Sequence, residues 1–217
     1  MAKNNNNGYL INFIIVCICF IFYSCSINTP AQNNSVGPTI VYIHDTVYVY
    51  DTVYPELPAS SADLRLCVKK AYDWELGVRE LTGHNDGERV QEYLAASGLQ
   101  GNYPWCAASV NFILLQCGVD LKLNAPAWVP SYFPRDKLIY VRGEMDFKKQ
   151  PQPGDLIGIW FASKERLAHI GFYDGENDKY YFTTEGNTNE AGSREGDGFY
   201  RKRRPKRTIH SISNWLD

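Results

Sequence analysis

A cysteine stands directly behind Pro-Trp in the stretch "NYPWCAASVN", residues 102–111. Proline suits the first helical position because its missing N–H would have no partner there. Pro104 therefore predicts a helix that runs to Gly118 with Cys106 in its first turn. A helix N-terminus favours the thiolate, the nucleophilic form of cysteine. Cys106 is thus a candidate nucleophile, and a small buried residue is the alternative. Helical spacing also predicts an apolar stripe formed by Cys106, Val110, Ile113 and Cys117.

A nucleophilic thiol needs a base, and the base needs an orienting group. Of the four histidines, only His169 lies in a strand-like run, "LAHIGFYDG". A hairpin turn in "DGENDK" centred near Asn177 would place Glu185 directly opposite His169, with Asn187 beside Glu185 on the same face. The sequence predicts His169 as the base and leaves open which of the two polar residues orients it. A core histidine followed by a simple turn is the alternative.

Four segments carry a resemblance to a known family: "PWCAASVNFIL", "QPGDLIGIW", "AHIGFY" and "TTEGNT", in this order. Together they resemble the CHAP family of cysteine, histidine-dependent amidohydrolases and peptidases, which share a papain-like core with the NlpC-type cell-wall peptidases. The resemblance covers about residues 63–213. It implies a nucleophile at Cys106, a base at His169, polar partners at Glu185 and Asn187, and cleavage of amide bonds in peptidoglycan.

Other residues are weaker candidates. Trp105 and Trp160 are candidate walls of a substrate cleft, with core positions as the alternative. The segment "GHNDGERV" offers few oxygen ligands and lacks the alternating acidic spacing of a calcium loop. No metal and no cofactor are predicted.

The elements that must position these residues follow from periodicity. Helices are predicted over 62–78, 87–98 and 104–118, and strands follow at "LIGIWF", "AHIGFYDG" and "KYYFTTEGN", with two more between 198 and 213. Helices followed by strands predict an α+β domain with an antiparallel sheet. The 44% hydrophobic content suits one domain, over 62–217. The resemblance makes that domain papain-like, of the NlpC/CHAP type.

The N-terminal segment has the layout of an exported lipoprotein. Residues 1–24 combine a lysine, a short apolar run and small residues, which is typical of a signal peptide. Its end resembles a lipobox and predicts lipidation of Cys25, with plain secretion or an uncleaved anchor as alternatives. Residues 25–61 are predicted to be an extended linker, in which Asp-Thr-Val-Tyr occurs at 45–48 and again at 51–54.

The cysteine count bears on the redox state. Removal of Cys17 and Cys19 with the signal, and lipidation of Cys25, would leave Cys67, Cys106 and Cys117. An odd number leaves at least one thiol free in an oxidising compartment. Cys67 and Cys117 are predicted to be buried thiols or a disulfide between the first and third helices. Cys106 cannot bridge Cys117, because eleven helical residues span ~16 Å.

The charge gives no reason to invoke nucleic acid, since the formal net charge is -2. The run "RKRRPKR" at 201–207 is either a surface for an anionic wall polymer or a solvated strand face. The chain is predicted to be a monomeric peptidoglycan hydrolase of the bacterial envelope, anchored to the membrane through Cys25. An inactive wall-binding lipoprotein is one alternative, and a structural lipoprotein that associates through its repeat is another.

Overall fold

The structure is a computed structural model that describes residues 40–43, 46–49, 60–190 and 196–217. The predicted signal at 1–24, Cys25 and the second Asp-Thr-Val-Tyr copy lie outside the described residues. The chain divides into two compact units, 1–52 and 53–217. None of the helices in the described ranges has the length and apolar character needed to cross a membrane.

The first unit contains a short antiparallel hairpin. Strand β1 (Ile40–Ile43) pairs with β2 (Thr46–Val49), and Ile40 lies opposite Val49. The extended conformation predicted for this part of the linker is confirmed by these two strands. Their β-branched residues and tyrosines favour a pleated strand. The linker segment thus contains a strand pair.

The second unit begins with the three predicted helices, α1 (Ser61–Trp74), α2 (Glu88–Ala96) and α3 (Cys106–Gln116). The hydroxyl of Ser60 caps α1 by accepting a hydrogen bond from the N–H of Asp63. Helix α3 begins two residues later than Pro104 predicts, because Trp105 has φ -114° and ψ 10°, outside the helical region. Cys106 nevertheless occupies the first turn, as predicted.

Six antiparallel strands form the sheet that follows. They are β3 (Leu138–Val141), β4 (Leu156–Phe161), β5 (Arg166–Glu176), β6 (Tyr180–Thr188), β7 (Gly198–Pro205) and β8 (Ile209–Ser213). Their order across the sheet is β3-β8-β4-β5-β6-β7. The predicted α+β class and the five predicted strands are confirmed; β3 was not predicted. Strand β7 lies at one edge.

Helix α3 is the central helix of the unit and packs against β5 and β6. The predicted stripe of Cys106, Val110, Ile113 and Cys117 is buried. Other residues of α3 are buried as well, including Ala108, so water is excluded from most of the helix surface. The position of Cys106 is therefore fixed by packing of the helix that carries it.

A buried ion pair joins α1 to the start of β4. Arg65 donates to a carboxylate oxygen of Asp155 at 3.0 Å and to Asp217 at 2.8 Å. Asp155 is fully buried and also accepts a hydrogen bond from the N–H of Gln152. Burial raises the pKa of Asp155. The "PGD" segment of the family resemblance therefore has a structural role here, since Asp155 holds the strand against the helix.

Cys67 and Cys117 form a disulfide with their Cα atoms 5.9 Å apart. Cys67 lies in α1, and Cys117 directly follows the last residue of α3. This decides between the two predicted alternatives in favour of the bridge between the first and third helices. Cys106 is the free cysteine among the described residues.

Removal of the disulfide should reduce stability. The bridge closes a loop of 50 residues, for which loop-closure entropy gives about 4 kcal/mol. A Cys67→Ala/Cys117→Ala variant is expected to lower the free energy of unfolding by that amount, measured by urea denaturation. Reduction of the wild type with dithiothreitol should shift its midpoint similarly and leave the variant unchanged. An equal midpoint for oxidised wild type and variant would contradict the expectation.

Candidate active site

Cys106 lies at the wall of a cavity of about 470 Å³. Only 6% of the residue is exposed, so the thiol is accessible from the cavity and otherwise enclosed by the core. Its backbone N–H is at the first helical position, where it has no acceptor within the helix. The polar lining of the cavity comprises Asn85, Ser163, Lys164, His169, Asn187, Thr188 and Arg204.

His169 of β5 lies between the thiol of Cys106 and a carboxylate. Its Nε2 is 2.7 Å from Oε2 of Glu185. A carboxylate accepts, so Nε2 donates its proton to Glu185 and Nδ1 is the ring nitrogen left for the thiol. Burial alone would lower the pKa of His169, but hydrogen bonds with Cys106 and Glu185 raise that pKa to about 9. The ring is thus held in one orientation and favoured in its protonated form.

Glu185 of β6 has no exposed surface. Its Oε1 accepts hydrogen bonds from Nε of Arg204 at 2.8 Å and from the hydroxyl of Thr183 at 2.5 Å. A second guanidinium nitrogen of Arg204 pairs with Oε2. Burial alone would raise the pKa of Glu185, but Arg204 and His169 hold it well below its usual range. The group that orients His169 is therefore a permanent carboxylate.

The predicted pairing of Glu185 directly opposite His169 is wrong. Phe172 pairs with Thr184, and an irregularity separates Tyr173 from Gly175. The turn between the two strands closes with a hydrogen bond from the N–H of Asn177 to the carbonyl of Tyr180. The centre of the hairpin therefore lies nearer residue 178, one residue beyond the predicted centre.

Gly171 allows the two side chains to meet despite this shift. Continuing the pairing of Phe172 with Thr184 places Gly171 opposite Glu185. A Cβ at position 171 would lie 2.5 Å from Cγ of Glu185, much closer than two carbon atoms can pack. The absence of a side chain at 171 leaves the space through which Glu185 reaches His169.

Among the described residues, the side chain of Asn187 forms its hydrogen bonds away from His169. Its backbone has φ 52°, the left-handed region, which ends the alternation that the prediction assumed. Its side-chain Nδ2 donates to Oε1 of Glu80 at 3.2 Å and to Oδ1 of Asn85 at 3.0 Å. Of the two predicted orienting residues, Glu185 is the one bonded to His169, and Asn187 lies on another part of the cavity wall.

Trp105 is not a wall of the cleft, in contrast to its prediction. The side chain is fully buried and stacks on Tyr93, and its indole N–H donates to Oε1 of Glu80 at 2.8 Å. Glycine at 186 permits this packing, because a Cβ there would lie 2.6 Å from the indole ring. Trp105 therefore fixes the start of α3 from the core side.

Trp160 also lies away from the cavity. It is 42% exposed and stacks on His210 with the ring centroids 5.3 Å apart. Its neighbours Ile159 and Phe161 line the cavity. Trp160 projects elsewhere because adjacent residues of a strand point to opposite faces.

The basic run at 201–207 is largely paired within the chain. Arg201 bonds Asp73 and Lys206 bonds Glu176. Arg203 lies over the ring of Tyr180, and Arg204 pairs with Glu185. Arg204 was not predicted to be a site residue. Alternation along β7 offered a signal, because Arg204 shares a face with Tyr200, the partner of Glu185.

The described residues contain no group of three or more His, Cys, Asp or Glu side chains arranged to hold a metal ion. Comparisons of the chain with protein-family models, with curated proteins and with solved structures gave no match.

Glu185 controls the protonation of His169, which gives a test by NMR titration of the imidazole. The ordinary histidine pKa is 6.5 and that of His169 is about 9. Protonation of His169 therefore stabilises the folded protein fully below pH 6.5, and this contribution is lost as pH rises through 9. Glu185→Gln removes the carboxylate and should lower the pKa of His169 by about one to three units.

The matched control is Asp178→Asn, which removes an exposed carboxylate from the turn of the same hairpin. This variant is expected to leave the His169 titration unchanged. An unshifted titration in Glu185→Gln would contradict the role assigned to Glu185.

The space at Gly171 gives a second test. In Gly171→Ala the new methyl group must displace Glu185, which breaks the hydrogen bond to His169. The His169 pKa should fall as in Glu185→Gln, and overpacking should cost roughly 1–3 kcal/mol of unfolding free energy. Ile170→Val, a conservative change of the adjacent buried residue, should leave the titration intact. A wild-type titration in Gly171→Ala would show that Glu185 reaches His169 without this space.

Proposed function

We propose that the chain is a cysteine hydrolase of the CHAP type, with a papain-like fold, that cleaves amide or peptide bonds of bacterial peptidoglycan. The observation that carries this proposal is the pair of hydrogen bonds that joins His169 to Cys106 and to Glu185 beside a cavity, with Glu185 bonded to His169 at 2.7 Å. A thiol, an imidazole and an orienting carboxylate form the three parts of a nucleophilic catalytic centre.

The tautomer fixed by Glu185 determines the direction of proton transfer. Nε2 of His169 carries the proton donated to Glu185, so Nδ1 is the atom that takes the thiol proton of Cys106, and the protonated ring that results is the form favoured by its raised pKa. The resulting thiolate attacks the carbonyl carbon of the substrate amide and a C–S bond forms. The backbone N–H of Cys106, free of an intrahelical acceptor, stabilises the oxyanion that develops on the carbonyl oxygen.

Collapse of the tetrahedral intermediate breaks the C–N bond. The imidazolium of His169 gives its proton to the departing amine, which leaves an acyl-enzyme on Cys106. His169 then removes a proton from water, the hydroxide attacks the acyl carbon, and the thiol is restored as the carboxylic acid product leaves. Glu185 stays ionised throughout, because Arg204 and Thr183 hold it.

The substrate class rests on the family resemblance and on the N-terminal sequence. The four segments that resemble the CHAP family include Cys106, His169, Glu185 and Asn187. A signal peptide and lipidation at Cys25 would place the domain at the bacterial envelope, and the residues that follow would give it reach toward the wall. The disulfide between Cys67 and Cys117 suits an oxidising compartment.

Digestion of purified peptidoglycan tests the proposal. Residues 60–217 include every helix of the second unit and the six-stranded sheet, and this fragment is expected to release peptides or sugars identifiable by mass spectrometry. Cys106→Ala should lower the rate on the order of a thousandfold or more, because alanine has no thiol with which to form the acyl-enzyme. The masses of the fragments identify the bond that is cut.

The matched control is the Cys67→Ala/Cys117→Ala variant, which also replaces cysteine by alanine but keeps the thiol of Cys106. It should retain activity below its unfolding temperature. If the wild type releases nothing while both it and Cys106→Ala pellet with the wall, hydrolysis is refuted and the wall-binding alternative takes its place.

A further inference from the structure

Glu80, in the loop between α1 and α2, determines how two asparagine side chains are oriented at the cavity. The indole N–H of Trp105 and the backbone N–H of Asn85 can only donate, and they bond to Oε1 and Oε2 of Glu80 respectively. The carboxylate oxygens of Glu80 are therefore acceptors. Only 9% of the surface of Glu80 is exposed. A nearly buried carboxylate depends on these donors, because little water is available to replace them.

The acceptors of Glu80 determine which end of each asparagine amide faces its neighbour. The group of Asn187 that bonds to Glu80 must be its NH₂, at 3.2 Å. The same NH₂ bonds to Asn85 at 3.0 Å, so the atom of Asn85 that receives it is the carbonyl Oδ1. Both hydrogens of Asn187 Nδ2 are then used. Its Oδ1 and the NH₂ of Asn85 have no hydrogen-bond partner among the described residues.

Both asparagines line the cavity that contains Cys106 and His169. Asn85 and Asn187 have φ 57° and 52°, a left-handed conformation that asparagine tolerates better than most residues. The wall of the cavity thus carries one donor, on Asn85, and one acceptor, on Asn187, in adjacent and hydrogen-bonded side chains. A peptide group presents the complementary pair, a carbonyl acceptor and an N–H donor.

We propose that Asn85 and Asn187 form a peptide-recognition subsite, in which Asn85 Nδ2 donates to a carbonyl and Asn187 Oδ1 accepts from an N–H of a peptide group next to the cleaved bond. The inference rests on the proposed function of the same cavity and narrows its substrate class. The substrate is one that presents a further peptide group beside the scissile amide, so a stem peptide fits the subsite and a glycan chain alone does not.

Asn85→Asp isolates the donor of the subsite. An aspartate keeps the oxygen that accepts from Asn187 and tolerates the same backbone conformation, but it presents a second acceptor to the cavity. Asn85→Gly removes the side chain without adding charge and also permits a positive φ. Ala162→Asp is the matched control, since Ala162 is exposed and lines the same cavity. It adds the charge of Asn85→Asp and leaves the donor in place.

The probes are two chloromethyl ketones, acetyl-Ala-Ala-chloromethyl ketone and chloroacetone, which share the reactive group and differ in the acetylated dipeptide that the first carries. In both reactions the Cys106 thiolate forms a C–S bond and chloride leaves, so the chemical step is matched. The rate of Cys106 alkylation in the full-length chain is followed by mass spectrometry of the Cys106 peptide, which separates it from the other cysteines.

The peptide probe is expected to react at least about tenfold faster than chloroacetone in the wild type and in Ala162→Asp. Both Asn85 variants should lose this advantage while their reaction with chloroacetone stays within about threefold of wild type. The same variants should lower kcat/KM for peptidoglycan by a similar factor.

The proposed hydrolysis and the subsite can fail separately. If the wild type does not digest peptidoglycan but shows the Asn85-dependent peptide advantage, the subsite stands and the wall substrate is refuted. An equal loss in Ala162→Asp would assign the effect to charge and overturn the subsite. A peptide advantage and a digestion rate that both survive in Asn85→Asp and Asn85→Gly would also overturn it.

Discussion

The buried carboxylate of Glu185 constrains the rest of the site. A carboxylate removed from water costs several kcal/mol unless its oxygens are paired. Glu185 is fully buried, and donors on three strands compensate it: His169 on β5, Thr183 on β6 and Arg204 on β7. These strands must therefore lie at fixed distances from one another. The interaction that orients the imidazole also ties the edge strand to the centre of the sheet.

The same carboxylate links stability to protonation. His169 favours its proton because Glu185 and Cys106 face its two ring nitrogens, and Arg204 prevents Glu185 from taking a proton itself. Loss of Arg204 would leave Glu185 with fewer donors in a water-poor environment and would weaken its bond to the ring. Arg204 therefore acts on the thiol through Glu185 and His169. It is a positioning residue, and its charge pairs with the buried carboxylate of Glu185.

Periodicity predicted the elements well, but it did not predict register or partners. The turn at 177–180 and the irregularity near Gly175 shift the pairing of β5 with β6, and a single sequence contains no direct measure of such shifts. His169 and Glu185 were still found, because a glutamate side chain is long enough to cross the empty space at Gly171. With shorter side chains at these two positions, the observed shift in register would have kept the residues apart.

Other features depended on tertiary contacts. Trp105 is apolar enough for a cleft wall or a core. Its indole N–H bonds to Glu80, 25 residues earlier in the chain, and this hydrogen bond holds the side chain in the core. The loop that carries Glu80 and Asn85 shows no helix or strand periodicity, so its position at the cavity could not be predicted from periodicity. Arg204 was hidden in a basic run, since composition does not reveal which cation faces a buried carboxylate. The features missed were polar side chains whose partners are far apart in sequence.

Helix α3 separates the free thiol of the domain from its disulfide. Its first residue carries the free thiol, and the residue after its last carries a disulfide sulfur. Eleven residues of helix keep these positions ~16 Å apart, whereas a disulfide requires Cα atoms within ~7 Å. A helix with most of its residues buried cannot bend to bring Cys106 to Cys117. This separation, together with pairing of Cys117 to Cys67, leaves Cys106 without a disulfide partner among the described residues, so its thiol remains beside His169 and Glu185.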